Sequence, residues 1–534
     1  MARAADRPGI TIAGPVSVRG GEDHPHAAAR LRAGLDSIAW VDTAGPSETA
    51  ATDQVTLRED RDLPEGGYRI DVTASAEGIR IDVAGGPFSG VIQGVEALVR
   101  RADVERHTVT VPAGHIEVLP ALAFRTFWTW DHSTHWDVDS FGMQETGAFN
   151  PYGKQPEAFV SDYQRLIDFM SRHGIGGVVI YGLLRDSHGG VEAANQVGRY
   201  ARERGVRVLA GIAVNSYGGI YYEGDHRYNL ATWLRQHPEL AADTAALPGF
   251  QIGDYGYLGF PHGDYTMAAL SDRPEMLPWH LDGLEWLLDT VDVDGVNIEF
   301  GDYAGNDAMA DMRRLLPGLI EVARGQRDDL WLMTELGEWD FIAELDAPEK
   351  VTGLPDGCAY QFTYNKSYWP RLRSHLEADA IDRLPTATNT IRPHAGSQWN
   401  RQRYANMAPH YAELAGLARR SGLDGTTIFG EVSDYSPPNE LSYIAFARFS
   451  IEADLTWERF MAEEVEPRLG GAEAAARFIT LVERLDADEL AASDLPATRD
   501  EVRATAASLR DPERCRWAWL EERLSRRIHT RLGR

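Results

Sequence analysis

Four acidic residues end or directly follow short apolar runs of the kind that form buried strands: Glu299, Asp302, Glu335 and Glu431. Burying a carboxylate without a partner is costly, so acids at strand ends favour a functional site. Two carboxyl groups can cleave a glycosidic bond, one protonating the leaving oxygen and one acting at the anomeric carbon. We therefore predict catalytic roles for these four acids: Glu299 is the general acid and Glu335 the second carboxylate. Asp302 and Glu431 are reserve candidates for the second role or ligands of the sugar hydroxyls. The alternative for each is a structural pairing with an arginine or a helix N-terminus.

Polar and aromatic side chains cluster near the same strand ends. Aromatic rings can stack on the apolar faces of a sugar, and polar groups can bind its hydroxyls. The alternative for a lone tryptophan is core packing. The predicted substrate-binding residues are Trp128, Trp130, Asp131, His132, Tyr181, Asn215, Tyr217, Asn297, Tyr303, Trp339, Gln361, Tyr364, Asn365, Arg392, His394 and Trp399.

Two segments contain residue types that could bind a metal ion or a phosphate group. Asp131-His-Ser-Thr-His135 contains metal-ligand residue types, but its histidines lack the regular spacing of a helix-borne pair. We favour contacts to substrate hydroxyls there and predict no metal. Gly85-Gly-Pro-Phe-Ser-Gly90 precedes a helix as a phosphate loop would, yet no Lys-Ser or Lys-Thr follows it. We predict a turn at that segment and no cofactor.

Arg392 and His394 would bring a cation to the mouth of an otherwise acidic site. A guanidinium can bind a sugar carboxylate through two parallel hydrogen bonds. The alternative is that Arg392 neutralises neighbouring carboxylates such as Glu431.

The elements that would position these residues are apolar, strand-like runs alternating with amphipathic helical stretches, the pattern of βα units. This pattern predicts an α/β fold, a (β/α)8 TIM barrel preceded by a small α+β domain and followed by a helical C-terminal extension. Predicted boundaries are 1–120, 121–452 and 453–534. The eight runs are 124–128, 177–181, 206–213, 295–299, 330–335, 359–363, 387–391 and 426–431.

The composition excludes some function classes. A net charge of −28 argues against nucleic-acid binding, which needs a basic surface. The two cysteines, Cys358 and Cys515, exclude a disulfide framework and a cysteine-rich zinc site. No leader-like apolar segment and no long apolar run is evident, so we expect a cytoplasmic protein without a membrane partner. The sequence leaves open whether the protein forms a homo-oligomer.

The N-terminal stretch resembles the small domain that precedes the barrel in β-N-acetylhexosaminidases of glycoside hydrolase family 20 and in α-glucuronidases. The resemblance lies in Gly-Tyr-Arg-Ile-Asp-Val72, Gly-Ile-Arg-Ile81 and Gly-Pro-Phe-Ser-Gly-Val-Ile-Gln-Gly-Val-Glu-Ala-Leu98. Leu119-Pro-Ala-Leu-Ala-Phe-Arg-Thr126 is similar to the entry into barrel strand 1. Gly425-Thr-Thr-Ile-Phe-Gly-Glu431 is similar to the last strand of those hexosaminidases.

The sequence departs from that family on strand 4. The hexosaminidases carry an adjacent Asp-Glu pair after His-x-Gly-Gly, whereas this chain has Asn297-Ile-Glu-Phe-Gly-Asp302. Since the Asp of the pair orients the substrate's acetamido group, its loss argues against substrate-assisted catalysis. Glu299 looks more like the strand 4 acid of the α-glucuronidases, and that resemblance implies inversion of configuration.

The leading hypothesis is an exo-acting glycoside hydrolase that removes a terminal sugar from a small saccharide or glycoside. It would be N-acetylhexosaminidase-like or glucuronidase-like. The alternatives are a non-catalytic sugar-binding barrel and a metal-dependent sugar lyase or isomerase.

Overall fold

The computed structural model describes residues 9–42, 53–130, 156–216, 218–242, 267–300, 308–336, 353–364, 388–393, 406–429 and 436–532. Residues 9–118 of this set form nine short strands and two helices. The strands are β1 (Gly9–Ile12), β2 (Val16–Arg19), β3 (Trp40–Asp42), β4 (Asp53–Glu59), β5 (Tyr68–Ser75), β6 (Gly78–Gly85), β7 (Asp103–Glu105), β8 (Thr108–Pro112) and β9 (Gly114–Val118). The helices are α1 (Pro25–Gly34) and α2 (Gly90–Arg101).

These strands form a six-stranded mixed sheet, in the order β3-β2-β4-β6-β5-β9, and a three-stranded antiparallel sheet, β1-β8-β7. Apolar residues alternate along the strands because successive side chains point to opposite faces. The apolar face packs against the two helices through Leu31, Ile70, Val83 and Val95. The chain turns between the end of β6 at Gly85 and the start of α2 at Gly90, as predicted.

Eight parallel strands then close into a barrel, each pairing with the next and the last with the first. The barrel strands are β10 (Phe124–Trp130), β11 (Gly177–Tyr181), β12 (Arg207–Ala213), β13 (Gly295–Glu299), β14 (Trp331–Leu336), β15 (Ala359–Tyr364), β16 (Thr388–Pro393) and β17 (Gly425–Phe429). Each contains most of one predicted apolar run. The barrel confirms the predicted fold class.

Helices cover the outside of the barrel and continue beyond it. They are α3 (Pro156–His173), α4 (Gly190–Glu203), α5 (Leu230–Gln236), α6 (Met276–Thr290), α7 (Ala308–Gln326), α8 (Ala408–Arg420) and α9 (Pro437–Ile451). The C-terminal helices are α10 (Trp457–Phe460), a π-helical turn (Met461–Val465), α11 (Glu466–Leu469), α12 (Ala472–Asp486), α13 (Leu495–Ser508) and α14 (Glu513–Leu532). No described helix is both long enough and apolar enough to cross a bilayer.

The last two helices of the C-terminal extension are separated by a short break. Helix α13 ends at Ser508 and α14 begins at Glu513. Pro512 explains the break, because proline lacks a backbone N–H and disfavours helical geometry in the residue before it.

The amino end of the barrel is filled by large side chains and covered by the N-terminal domain. Phe124 and Trp331 lie inside it with their ring centroids 4.7 Å apart. Arg207 stacks between Trp331 and Phe88 of the 85–90 turn, at 5.1 and 4.2 Å from the ring centroids. Glu65 receives two hydrogen bonds from the same guanidinium, at 2.8 and 2.9 Å. The carboxyl end of the barrel is therefore left for a site.

Candidate active site

Glu335 is the centre of the polar cluster at the carboxyl ends of the strands. Its side chain points into the barrel because it lies two and four residues after the inward-facing Met333 and Trp331. It is only 8% exposed and accepts hydrogen bonds from four side chains. Trp128 Nε1 (2.6 Å), Asn297 Nδ2 (2.9 Å) and Tyr181 Oη (3.3 Å) donate to Oε1, and Arg392 Nη2 (2.5 Å) donates to Oε2. All four partners are donors, so both carboxyl oxygens of Glu335 have hydrogen-bond partners and the side chain is held in one position.

Arg392 supplies the charge that balances Glu335. Its side chain is 4% exposed, and its guanidinium lies over the Trp128 ring, 4.7 Å from the centroid. The sequence left two uses for Arg392, binding a sugar carboxylate or neutralising a protein carboxylate such as Glu431. The structure places Arg392 against Glu335, while Glu431 lies outside the described residues.

Tyr181 reaches Glu335 because its ring crosses the neighbouring strand at Gly211. A Cβ at Gly211 would lie 2.5 Å from the Tyr181 ring, so any larger residue would displace it. Burial, followed by the negative charges of Glu335 and Glu299, raises the pKa of Tyr181 well above its ordinary value. The phenol therefore stays protonated and keeps donating to Glu335.

Asn297 and Gln361 extend the cluster across two more strands. Both side chains are fully buried. Asn297 Nδ2 also donates to Tyr181 Oη at 2.8 Å, and Asn297 Oδ1 accepts a hydrogen bond from Gln361 Nε2. Five predicted substrate-binding residues, Trp128, Tyr181, Asn297, Gln361 and Arg392, are thus brought together around the predicted catalytic Glu335.

Glu299 lies at the end of β13, two residues beyond Asn297 and hence on the same inward face. Its side chain is partly exposed, unlike that of Glu335, and its charge acts on Tyr181. Glu299 is therefore the more exposed of the two described acids, although its Oε2 atom is itself buried.

Tyr222 is a further residue of this pocket that the sequence did not single out. It is buried in the same cluster as Trp128 and Tyr181. Arg185 lies over the Tyr222 ring, 4.3 Å from the centroid, and forms an ion pair with Glu223 at 3.0 Å. Tyr222 lies in the segment that follows the third barrel strand, and only the fold of that segment shows which of its tyrosines returns to the barrel.

For the other predicted site residues, the structure describes few side-chain contacts or none. Asn215 is buried at the end of the third barrel strand, and its carbonyl accepts a hydrogen bond from Ala269 N at 2.9 Å. Trp130 and Tyr364 are placed only as strand residues. Asp131, His132, Tyr217, Asp302, Tyr303, Trp339, Asn365, His394, Trp399 and Glu431 lie outside the described residues. Among the residues that are described, no group of three or more His, Cys, Asp or Glu side chains is placed so that it could hold a metal ion.

The fold and this site define a (β/α)8-barrel protein with a small N-terminal α/β domain and a carboxylate at the carboxyl end of the barrel. Residues 3–117 match the family model "Glycosyl hydrolase family 20, domain 2". This match confirms the resemblance to family 20 that was inferred from the N-terminal strands and the Gly-Pro-Phe-Ser-Gly turn. No curated protein sequence matches the chain significantly.

Several solved structures with a similar fold are glycoside hydrolases. A family 138 enzyme targeting pectin rhamnogalacturonan II is 12% identical with a TM-score of 0.56, over 88% of this chain and 55% of that one. The Flavobacterium johnsoniae chitobiase is 12% identical with a TM-score of 0.55, over 94% and 86%. The family 20 β-N-acetylhexosaminidase of Streptomyces coelicolor A3(2) is 15% identical with a TM-score of 0.52, over 88% and 94%. At these identities the likeness establishes the shared fold.

Proposed function

We propose that this protein is an exo-acting glycoside hydrolase that removes a terminal sugar by carboxylate acid/base catalysis. The observation that carries the proposal is Glu335, a buried carboxylate fixed by four donors at the carboxyl end of the barrel. Active sites of (β/α)8 enzymes lie at this end. The family match and the structural neighbours support the same class of enzyme.

The two described acids suit different roles. Glu299 ends β13, next to the strand that carries Glu335, and is the more exposed of the two, so we assign it as the general acid. Both oxygens of Glu335 accept hydrogen bonds, so we assign it to stabilising positive charge at the anomeric carbon. Asp302 and Glu431 stay candidates for the residue that activates water or attacks the sugar.

Two finer properties of the reaction are the size of the substrate and the configuration of the product. We propose a small saccharide or glycoside, which follows from the expected cytoplasmic location, and inversion of configuration, which follows from the single acid of strand 4. Proton NMR of the first-formed product would show the inverted anomer. Formation of the retained anomer would contradict inversion and leave the hydrolase proposal standing.

The decisive experiment is a panel of aryl glycosides, including N-acetylhexosaminides and glucuronides, with and without a chelator. We expect hydrolysis of at least one glycoside and no effect of the chelator. Chelator-sensitive turnover would favour the metal-dependent lyase or isomerase instead. A ligand-induced thermal shift without turnover would favour a non-catalytic sugar-binding barrel.

Substitution of the two acids tests the assigned roles. Glu299→Gln and Glu335→Gln should each lower kcat by about a hundredfold or more, because each removes a charge or proton used in the transition state. Glu321→Gln, on the exposed face of α7, is the matched control and should match the wild type. Near-normal activity of Glu299→Gln would remove Glu299 from the mechanism.

A further inference from the structure

The amide of Asn297 must be oriented for Glu335 to keep its hydrogen bonds. An asparagine side chain can present either its NH2 group or its oxygen to a neighbour. Here the NH2 group donates to both Glu335 and Tyr181. The opposite orientation would place the Asn297 oxygen against the Glu335 carboxylate, an acceptor facing an acceptor.

Gln361 supplies the contact that favours the observed orientation. Its NH2 group donates to Asn297 Oδ1, on the side of the amide facing away from Glu335. Gln361 makes this contact although its own Oε1, fully buried, has no hydrogen-bond partner among the residues that the structure describes. A buried acceptor without a partner is unfavourable. The Gln361 side chain nevertheless keeps its NH2 group on Asn297 and leaves its own oxygen without a partner among the described residues.

We infer that Gln361 is a positioning residue that acts on Glu335 through Asn297, rather than a residue that binds the sugar. The relay runs from β15 through β13 to β14, and each step is a hydrogen bond between buried side chains. The inference rests on the proposed function, because positioning affects turnover only if Glu335 takes part in hydrolysis.

The first test removes the donor. Gln361→Met keeps the length of the side chain but cannot donate to Asn297. We expect kcat to fall about tenfold or more, since a small displacement of a reacting group has a large kinetic cost. We expect KM to stay within about twofold, as for a group that acts on the transition state and not on ground-state binding. Thr334→Val is the matched control, since it deletes a buried 2.8 Å hydrogen bond, to Ile298 O, on the strand that carries Glu335.

The second test makes the donor depend on pH. In Gln361→Glu the introduced carboxyl can donate to Asn297 Oδ1 when protonated and can only accept when ionised. The charged and titratable groups around the relay are Glu335, Glu299, Tyr181 and Arg392. We expect kcat near the wild-type value at acidic pH and a loss of activity with rising pH that the wild type does not show.

A spectroscopic measurement separates this inference from the proposed function. Trp128 donates directly to Glu335, so the near-ultraviolet circular dichroism difference between wild type and Glu335→Gln reports on that contact. Gln361→Met should reproduce part of this difference, and Thr334→Val should not. If Gln361→Met changes the spectrum in this way but the wild-type protein has no glycosidase activity, the relay is supported and the proposed function is contradicted. Wild-type spectra and kinetics in both Gln361 variants would overturn the inference.

Discussion

The ion pair between Glu335 and Arg392 should dominate the stability of the candidate site. Their side chains are 9% and 4% exposed, so water screens the pair weakly. Charge centres about 4 Å apart at an effective dielectric constant of about 20 interact by about 4 kcal/mol. Removing one partner of a buried pair costs about 3 to 5 kcal/mol, because the other charge is left buried and uncompensated. We therefore expect Arg392→Gln and Glu335→Gln each to destabilise the protein strongly.

A double-mutant cycle isolates the interaction between the two residues. Urea unfolding of wild type, both single variants and the double variant should give a coupling free energy of about 2 to 4 kcal/mol, since the double variant buries no unpaired charge. Arg477 and Glu501 are the matched control, because they are 2.7 Å apart but 40% and 50% exposed. Their coupling should be under about 1 kcal/mol. Additive effects of the two Glu335–Arg392 variants would refute the ion pair as the element that holds Glu335.

Two further predictions concern other parts of the fold. Burial lowers the pKa of His280 to about 4, so the unfolded chain takes up a proton between about pH 6.5 and 4 that the folded chain does not. Keeping His280 neutral therefore contributes about 3 kcal/mol to the free energy of unfolding above pH 6.5, and this contribution is lost as pH falls towards 4. The urea midpoints measured at about pH 7 and about pH 4.5 should differ less in His280→Gln than in the wild type. Glu65→Gln should lower the melting temperature by weakening the bidentate contact with Arg207 that joins the N-terminal domain to the barrel, whereas the exposed Glu117→Gln should have little effect. Equal melting temperatures of the Glu65 and Glu117 variants would contradict that role for Glu65.

The barrel could be predicted from the sequence because a strand buried on both faces leaves a local pattern. Runs such as 177–181 and 206–213 are apolar and are bounded by helical stretches. The strand-end position of Glu335 followed from the same pattern. For this reason the sequence could place the acids and their neighbours at one end of the barrel before any contact was known.

The partners of Glu335 could not be predicted in the same way. Trp128 and Arg392 come from strands at opposite ends of the barrel sequence, and their contact with Glu335 depends on the stagger between strands. The sequence named Glu431 as an acid that Arg392 would neutralise, but nothing local distinguishes Glu431 from Glu335 as a partner. The place of Tyr181 depends likewise on the absence of a side chain at Gly211, a feature that only packing reveals.

The position of Arg392 leads to a prediction about the charge of the substrate. Its guanidinium donates to Glu335 and stacks on Trp128, so a sugar carboxylate would compete with a buried protein carboxylate for the same group. Arg392→Lys keeps the charge but loses the planar stacking and the fork of donors, which would misplace Glu335 for every substrate. We therefore expect kcat/KM to fall by a similar factor for neutral glycosides and for uronides. A much larger loss for uronides would show that Arg392 binds the substrate carboxylate directly, in which case the ion pair with Glu335 must open when substrate binds.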